Sequence, residues 1–136
     1  MIMGYVLGTV NGVLLGERFL GTAPTSRSAL AVAALSAIRS FCMDALEEPI
    51  EQVTGGKNQI SMACGQKLML AVFSSVNTAV AKQLAKKYID ILEQKLKNKD
   101  VTFSSPELRE LVKQDLAKLE KEIDEVNGSY SQVNFI

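Results

Sequence analysis

The stretch Met3-Gly4-Tyr5-Val6-Leu7-Gly8-Thr9-Val10-Asn11-Gly12-Val13-Leu14-Leu15-Gly16-Glu17-Arg18-Phe19-Leu20 decides how the chain is read. Two apolar arms flank Asn11-Gly12. An Asn-Gly pair in that setting predicts a β-hairpin, because a type I′ turn needs positive φ at both central residues. Both arms are nearly continuously apolar, the pattern of strands in a sheet covered on both faces. Residues 1–16 carry no charged side chain and could pass for a signal peptide or anchor. The run lacks a basic leader and is too short to span a bilayer. It also holds Gly4, Gly8, Gly12 and Gly16. That spacing favours close packing on a membrane helix. With Asn11-Gly12 inside the run, turn and sheet roles fit better.

Outward from the hairpin the period changes. Thr22-Ala23-Pro24-Thr25-Ser26 is turn and cap chemistry, and Arg27 to Glu48 is rich in alanine and other helix formers. Leu30, Ala34, Ala37, Ile38, Phe41, Cys42 and Leu46 fall roughly on one face and are the expected sheet-facing stripe. The small alanines let such a helix lie close to a sheet, and Pro49 ends it. Ile50–Thr54, Asn58–Cys64 and Lys67–Phe73 then read as three strands joined at Gly55-Gly56 and Gly65-Gln66. Ile60, Met62 and Cys64 alternate with Gln59, Ser61 and Ala63, the period of a half-buried strand. Leu68 to Phe73 is continuously apolar and belongs at the centre of the sheet. Short connections make the three strands antiparallel neighbours.

Two helices follow. Ser74, Ser75 or Asn77 caps the first, which is expected to reach about Asn98 with Val80, Leu84, Tyr88, Ile91 and Leu92 buried. Ser104-Ser105-Pro106-Glu107 opens the second, with Ser104 and Glu107 spaced as a capping box. Val112, Leu116, Leu119, Ile123 and Val126 recur at 4-3-4-3, and Asn127-Gly128 reads as the stop. The expected organisation is therefore one domain over 1–126 with a tail over 127–136. Its fold class is α+β, a five-stranded antiparallel sheet sandwiched by helices in the order β-β-α-β-β-β-α-α.

The Tyr5–Leu20 hairpin, the helix after Pro24, the meander ending at Val72-Phe73 and the helix opening at Ser74-Ser75-Val76-Asn77 together resemble the longin domain over residues 2–126. The related roadblock fold normally starts with a helix, whereas Met1 here leads straight into a strand. The resemblance implies a non-enzymatic module in small-GTPase regulation, vesicle-coat or tether assembly. Without a further coiled-coil or membrane segment, it points to a stand-alone adaptor rather than a fusion protein.

Composition agrees with a soluble, cytoplasmic interaction domain. Lys plus Arg number 15 and Asp plus Glu 15, a balance that argues against nucleic acid and allows at most peripheral membrane contact. Cys42 and Cys64 read as reduced, buried packing residues. The chain has no histidine, which excludes Ser-His-Asp and Cys-His catalysis and every His-containing metal site. No cofactor is expected. Gly55-Gly56-Lys57-Asn58 fails the phosphate-loop pattern, since Glu51 stands where its first glycine belongs and Asn58 replaces the magnesium-binding hydroxyl. It reads as a hairpin turn. Glu47, Glu48 and Glu51 read as a solvated acidic turn.

The residues singled out for partner contact are Lys82, Lys86, Lys87, Leu116, Leu119 and Ile123. The lysines read first as a solvated face, and functionally as a contact for an acidic partner or phospholipid headgroups. The leucines and isoleucine read first as core, and functionally as a helix pairing across a dimer. The expected partner is a protein, such as a small GTPase, met as a homodimer or in a heteromeric assembly through an exposed helix face or sheet edge. The competing readings are a structural subunit of a larger complex and a small-ligand domain with a pocket between the alanine-rich helix and the sheet.

Overall fold

The computed structural model describes residues 1–19, 25–102 and 105–134, with the backbone alone over 25–30 and 129–134. Its elements are β1 (Ile2–Thr9), β2 (Leu14–Phe19), α1 (Thr25–Leu46), β3 (Gln52–Thr54), β4 (Asn58–Cys64), β5 (Leu68–Ser75), α2 (Ala79–Lys95) and α3 (Pro106–Asn134). The element order read from the sequence holds. The strands form one antiparallel sheet in the order β2-β1-β5-β4-β3.

Alternation along β5 sets the layers. Leu68, Leu70 and Val72 face one way and join Tyr5 and Leu7 under α2 and α3. Met69, Ala71 and Phe73 face the other way with Val6 and Met62, and meet Val32 and Leu35 of α1. The sheet is thus covered by two helices on one face and one on the other. The hairpin turn differs from the type I′ expectation. Four residues, Val10–Val13, join the strands, and positive φ falls on Gly12 (94°) but not on Asn11. Thr9 closes the turn, its N–H donating to Val13 O at 2.8 Å and its Oγ1 accepting from Val13 N at 3.0 Å.

α1 packs on a different face from the one expected. Val32 and Leu35 are buried, whereas Ala34, Ala37, Ile38, Phe41 and Leu46 are exposed. Leu30's side chain lies outside the described residues. Cys42 and Cys64 are free and only half-buried. The close approach of helix and sheet is real. A Cβ on Gly8 would lie 2.5 Å from Val32 Cγ1, which leaves no room for a ligand pocket there. On α2 the buried residues are Ala81, Leu84, Ala85, Tyr88, Ile89 and Leu92; Ile91 is 39% exposed. The helix begins after Thr78 without a side-chain cap and ends at Lys95.

Ser105 caps α3, its Oγ accepting from Leu108 N at 3.1 Å, with Pro106 in the first turn. The capping box drawn on Ser104 falls outside the described residues. The helix does not stop at Asn127-Gly128 but runs to Asn134, so the tail expected from 127 onward is mostly helical. Asn127 serves β1 instead. Its Oδ1 accepts from Ile2 N at 2.8 Å and its Nδ2 donates to Ile2 O at 2.9 Å. Among the described residues β2 pairs with β1 from Gly4 onward, and this amide satisfies both backbone polar groups of Ile2.

Side-chain clasps hold the helical layer down. Tyr5 Oη donates to Glu120 Oε1 at 2.8 Å, and Arg18 pairs with Asp124 at 3.2 Å. At the far end, Glu93 Oε1 accepts the backbone N–H groups of Lys67 and Leu68 at 2.8 and 2.7 Å. Lys67 Nζ in return donates to the carbonyls of Leu96, Lys97 and Lys99 past the end of α2. Turn and helix end thus cap one another.

Leu119 is fully buried under the sheet and Phe41 is 70% exposed. Leu119→Ala is expected to cost about 2–5 kcal/mol in urea unfolding. Phe41→Ala should stay within about 0.5 kcal/mol of the parent.

Candidate protein-interaction surface

The outward side of α1 carries the main exposed apolar surface of the described residues. Phe41 is 70% exposed on the side away from the core, with Ile38 beside it; Met43 and Leu46 continue the line of Val32, Leu35 and Cys42 to the helix end and are exposed there. A helix that buries Val32 and Leu35 needs polar residues opposite. This one offers alanines and large apolar side chains instead.

Among the described residues the adjoining sheet face is only half covered. α1 lies mainly against β1 and β2. Ile50, Ile60, Cys64 and Phe73 on the same face are partly buried. Phe73 stacks edge-on against Phe19, ring centroids 5.2 Å apart. Arg39 reaches from α1 to Cys64; burial pushes the thiol's pKa up, and the Arg39 charge partly offsets this. The sheet ends at β3, three residues paired with Gln59–Ser61. Beyond it a cleft of about 240 Å³ opens, lined among others by Pro49, Ile50, Met62, Cys64, Lys86 and Asp90. An apolar helix face and a half-covered sheet are features of a surface that closes against another polypeptide.

The residues singled out from sequence are placed elsewhere. Leu116, Leu119 and Ile123 are 7%, 0% and 4% exposed and pack beneath α2 and the sheet, so their partner-contact role is corrected to core packing. The lysines lie on α2, but acidic groups within the chain meet several of them. Lys82 pairs with Glu51 at 2.8 Å, Lys87 with Glu122 at 3.0 Å and Lys95 with Asp115 at 2.8 Å. Lys86 is exposed at the rim of the β4 cleft. The sequence reading placed Ile38, Phe41 and Leu46 in the core. Their one visible sign was a helix with too little polar residue on any side.

No protein-family model matches the sequence, and no curated protein matches it. Solved structures do match in shape. A roadblock/LC7 domain from Streptomyces avermitilis superposes with a TM-score of 0.61 at 16% identity, covering 71% of this chain and 87% of that one. The fold is longin/roadblock-like. The gliding protein mglB from Thermus thermophilus matches with a TM-score of 0.51 at 12% identity over 63% of this chain and 70% of its own. A chain from a homology model of the full-length AP-3 complex in a stretched open conformation reaches 0.50 at 8% identity, covering 97% and 99%. That last match is too complete to omit α3. At these identities the likeness is one of fold.

Where α2 meets α3, Glu122 accepts a short hydrogen bond from Tyr88 Oη and pairs with Lys87. The Tyr88 hydrogen bond holds the Glu122 carboxyl below the usual range; burial opposes it in part, and Lys87 adds a lesser lowering. The folded state therefore keeps Glu122 ionised where the unfolded chain begins to take up a proton, near pH ~4.3 for an ordinary glutamate. This stability is complete above that pH and is lost as pH falls through the lower folded-state value. In thermal melts, Glu122→Gln should melt lower than the parent at about pH 7, and the gap should narrow towards about pH 3.

Proposed function

We propose that this chain is a non-enzymatic interaction module whose working surface is the outward face of α1 with the uncovered sheet and edge strand beside it. It acts as a homodimer or within a heteromeric assembly, and its partner is a small GTPase or a trafficking-type complex. The observation that carries the reading is Phe41 and Leu46, both about two-thirds exposed on α1, Phe41 opposite its buried side and Leu46 at its C-terminal end. Burying two such side chains contributes roughly 1.5–3 kcal/mol each, enough to make them anchors of an interface. The longin/roadblock likeness supports the choice of partner class.

Association is non-polar on this reading, so it should survive salt that screens surface ion pairs. The double substitution Phe41→Asp with Leu46→Lys places charge at the anchors, suits the C-terminal turn that Leu46 occupies and leaves the core untouched. Light scattering after size exclusion should show the parent chain as a dimer at micromolar concentration and the variant as a monomer with an unchanged melting temperature. A parent chain monomeric at every concentration, and retaining no purified GTPase in either nucleotide state, would sink the proposal. A second reading, a structural subunit, rests on a match that covers nearly the whole of a chain from a large assembly. It predicts a constant large complex in native extract, whereas a regulator associates according to nucleotide state.

A further inference from the structure

Away from α1, the N-terminus of α2 opens into a cleft of about 400 Å³ lined by Gln52, Gln59, Ser61, Asn77, Thr78, Ala79 and Lys82. The first N–H groups of a helix have no partner inside it and carry the positive end of the helix dipole. In most helices a side-chain cap or an early carboxylate answers them. Here Thr78 makes no capping hydrogen bond, and the first turn contains no acidic residue. Thr78 Oγ1 is spent on Ser75 O at 2.8 Å, and Thr78 O accepts from Gln59 Nε2 at 3.2 Å.

A second, independent feature lies in the same cleft. Ser61 is fully buried on β4 under the start of α2, and its Oγ has no hydrogen-bond partner. Buried hydroxyls are nearly always paired. Ser61 therefore offers a donor to a group that fills the cleft. The surrounding charge is mainly positive. Lys82 lines the cleft, and Lys57 lies in the turn whose backbone carbonyl accepts from Val76 N at 2.9 Å, just before α2. The Gly55–Asn58 turn, which fails as a phosphate loop in sequence, is thus brought beside a helix N-terminus in space. The opposing charge is Glu51, bound to Lys82 at 2.8 Å and held ionised chiefly by that hydrogen bond.

The geometry points to a binding site for a phosphate-type oxyanion at the start of α2. The free N–H groups of Ala79 and Val80, the Ser61 hydroxyl and the Lys82 ammonium supply its donors, and Glu51 is the internal competitor for Lys82. The anion is either a soluble phosphate monoester or the phosphate of a lipid headgroup. The site lies on the α2 face of the sheet and shares only the β3 edge with the α1 surface, and phosphate binding is tested without reference to that surface.

The test is a two-dimensional amide NMR titration of the full chain with inorganic phosphate near neutral pH, with ionic strength held constant by sodium chloride. Amide shifts at Ser61, Ala79 and Val80 should saturate. Lys82→Ala and Ser61→Ala should each weaken binding about tenfold, the scale of a lost charge-assisted hydrogen bond. Glu51→Gln should strengthen it by releasing Lys82. Shifts that do not saturate, or that all three variants leave unchanged, overturn the proposal. Flotation with phosphatidylcholine vesicles, with and without a phosphoinositide, then separates the sources. Retention that needs the phosphoinositide and is lost in Lys82→Ala assigns a headgroup. Saturable phosphate binding without retention assigns a soluble monoester.

Discussion

The pairing of β1 with β5 is the contact on which the molecule depends. It joins distant parts of the chain, from Ile2↔Ser74 to Thr9↔Leu68, and makes one sheet of the N-terminal hairpin and the later meander. Both strands are buried on both faces along most of their length. A slip of one residue would carry Leu68, Leu70 and Val72 from the α2–α3 side to the α1 side, so register is tightly specified. Only the wide layer formed by this pairing can seat two helices side by side. The Asn127–Ile2 and Tyr5–Glu120 hydrogen bonds fasten α3 to that same β1 strand.

Elements whose two sides differ chemically were legible in the sequence. β4 alternates, β5 is apolar throughout, and the 4-3-4-3 stripe of α3 sits on the core as periodicity requires. α1 was legible as a helix but not in its orientation. With alanines and large apolar residues spread around it, periodicity cannot choose which side meets the sheet, and the side chosen was the one left in solvent. Ile89 and Ile91 pose the same problem on α2, since both border its stripe and only Ile89 is buried. The end of α3 was hidden for another reason. Asn127 is a stop signal only when its side chain is free to act locally, and here β1 has taken it.

Charge is distributed in a way that sequence alone does not reveal. Lysines on α2 suggest a basic face, yet Asp115 and Glu122 of α3 lie opposite Lys95 and Lys87. These pairs are partly exposed and contribute little singly. Their effect is to make the seam between the two helices self-complementary and to leave that side of the molecule with little net field. At the start of α2 the positive end of the helix dipole has neither a side-chain cap nor an acidic residue in the first turn, while Lys82 there is paired with Glu51.

The two faces of the sheet are therefore unequal, and the inequality is what a binding module needs. Five strands are too wide for one helix to cover. On the α2–α3 side the excess is absorbed by a second helix, tied down by hydrogen bonds and ion pairs. On the α1 side nothing in the described chain absorbs it, and Ile60, Cys64 and Phe73 remain half-covered beside a helix that leaves Phe41 and Leu46 exposed. Polar substitutions at those two positions would cost the isolated fold almost nothing. A helix kept apolar where its own fold gains nothing from it is most simply explained by a second polypeptide completing the missing layer.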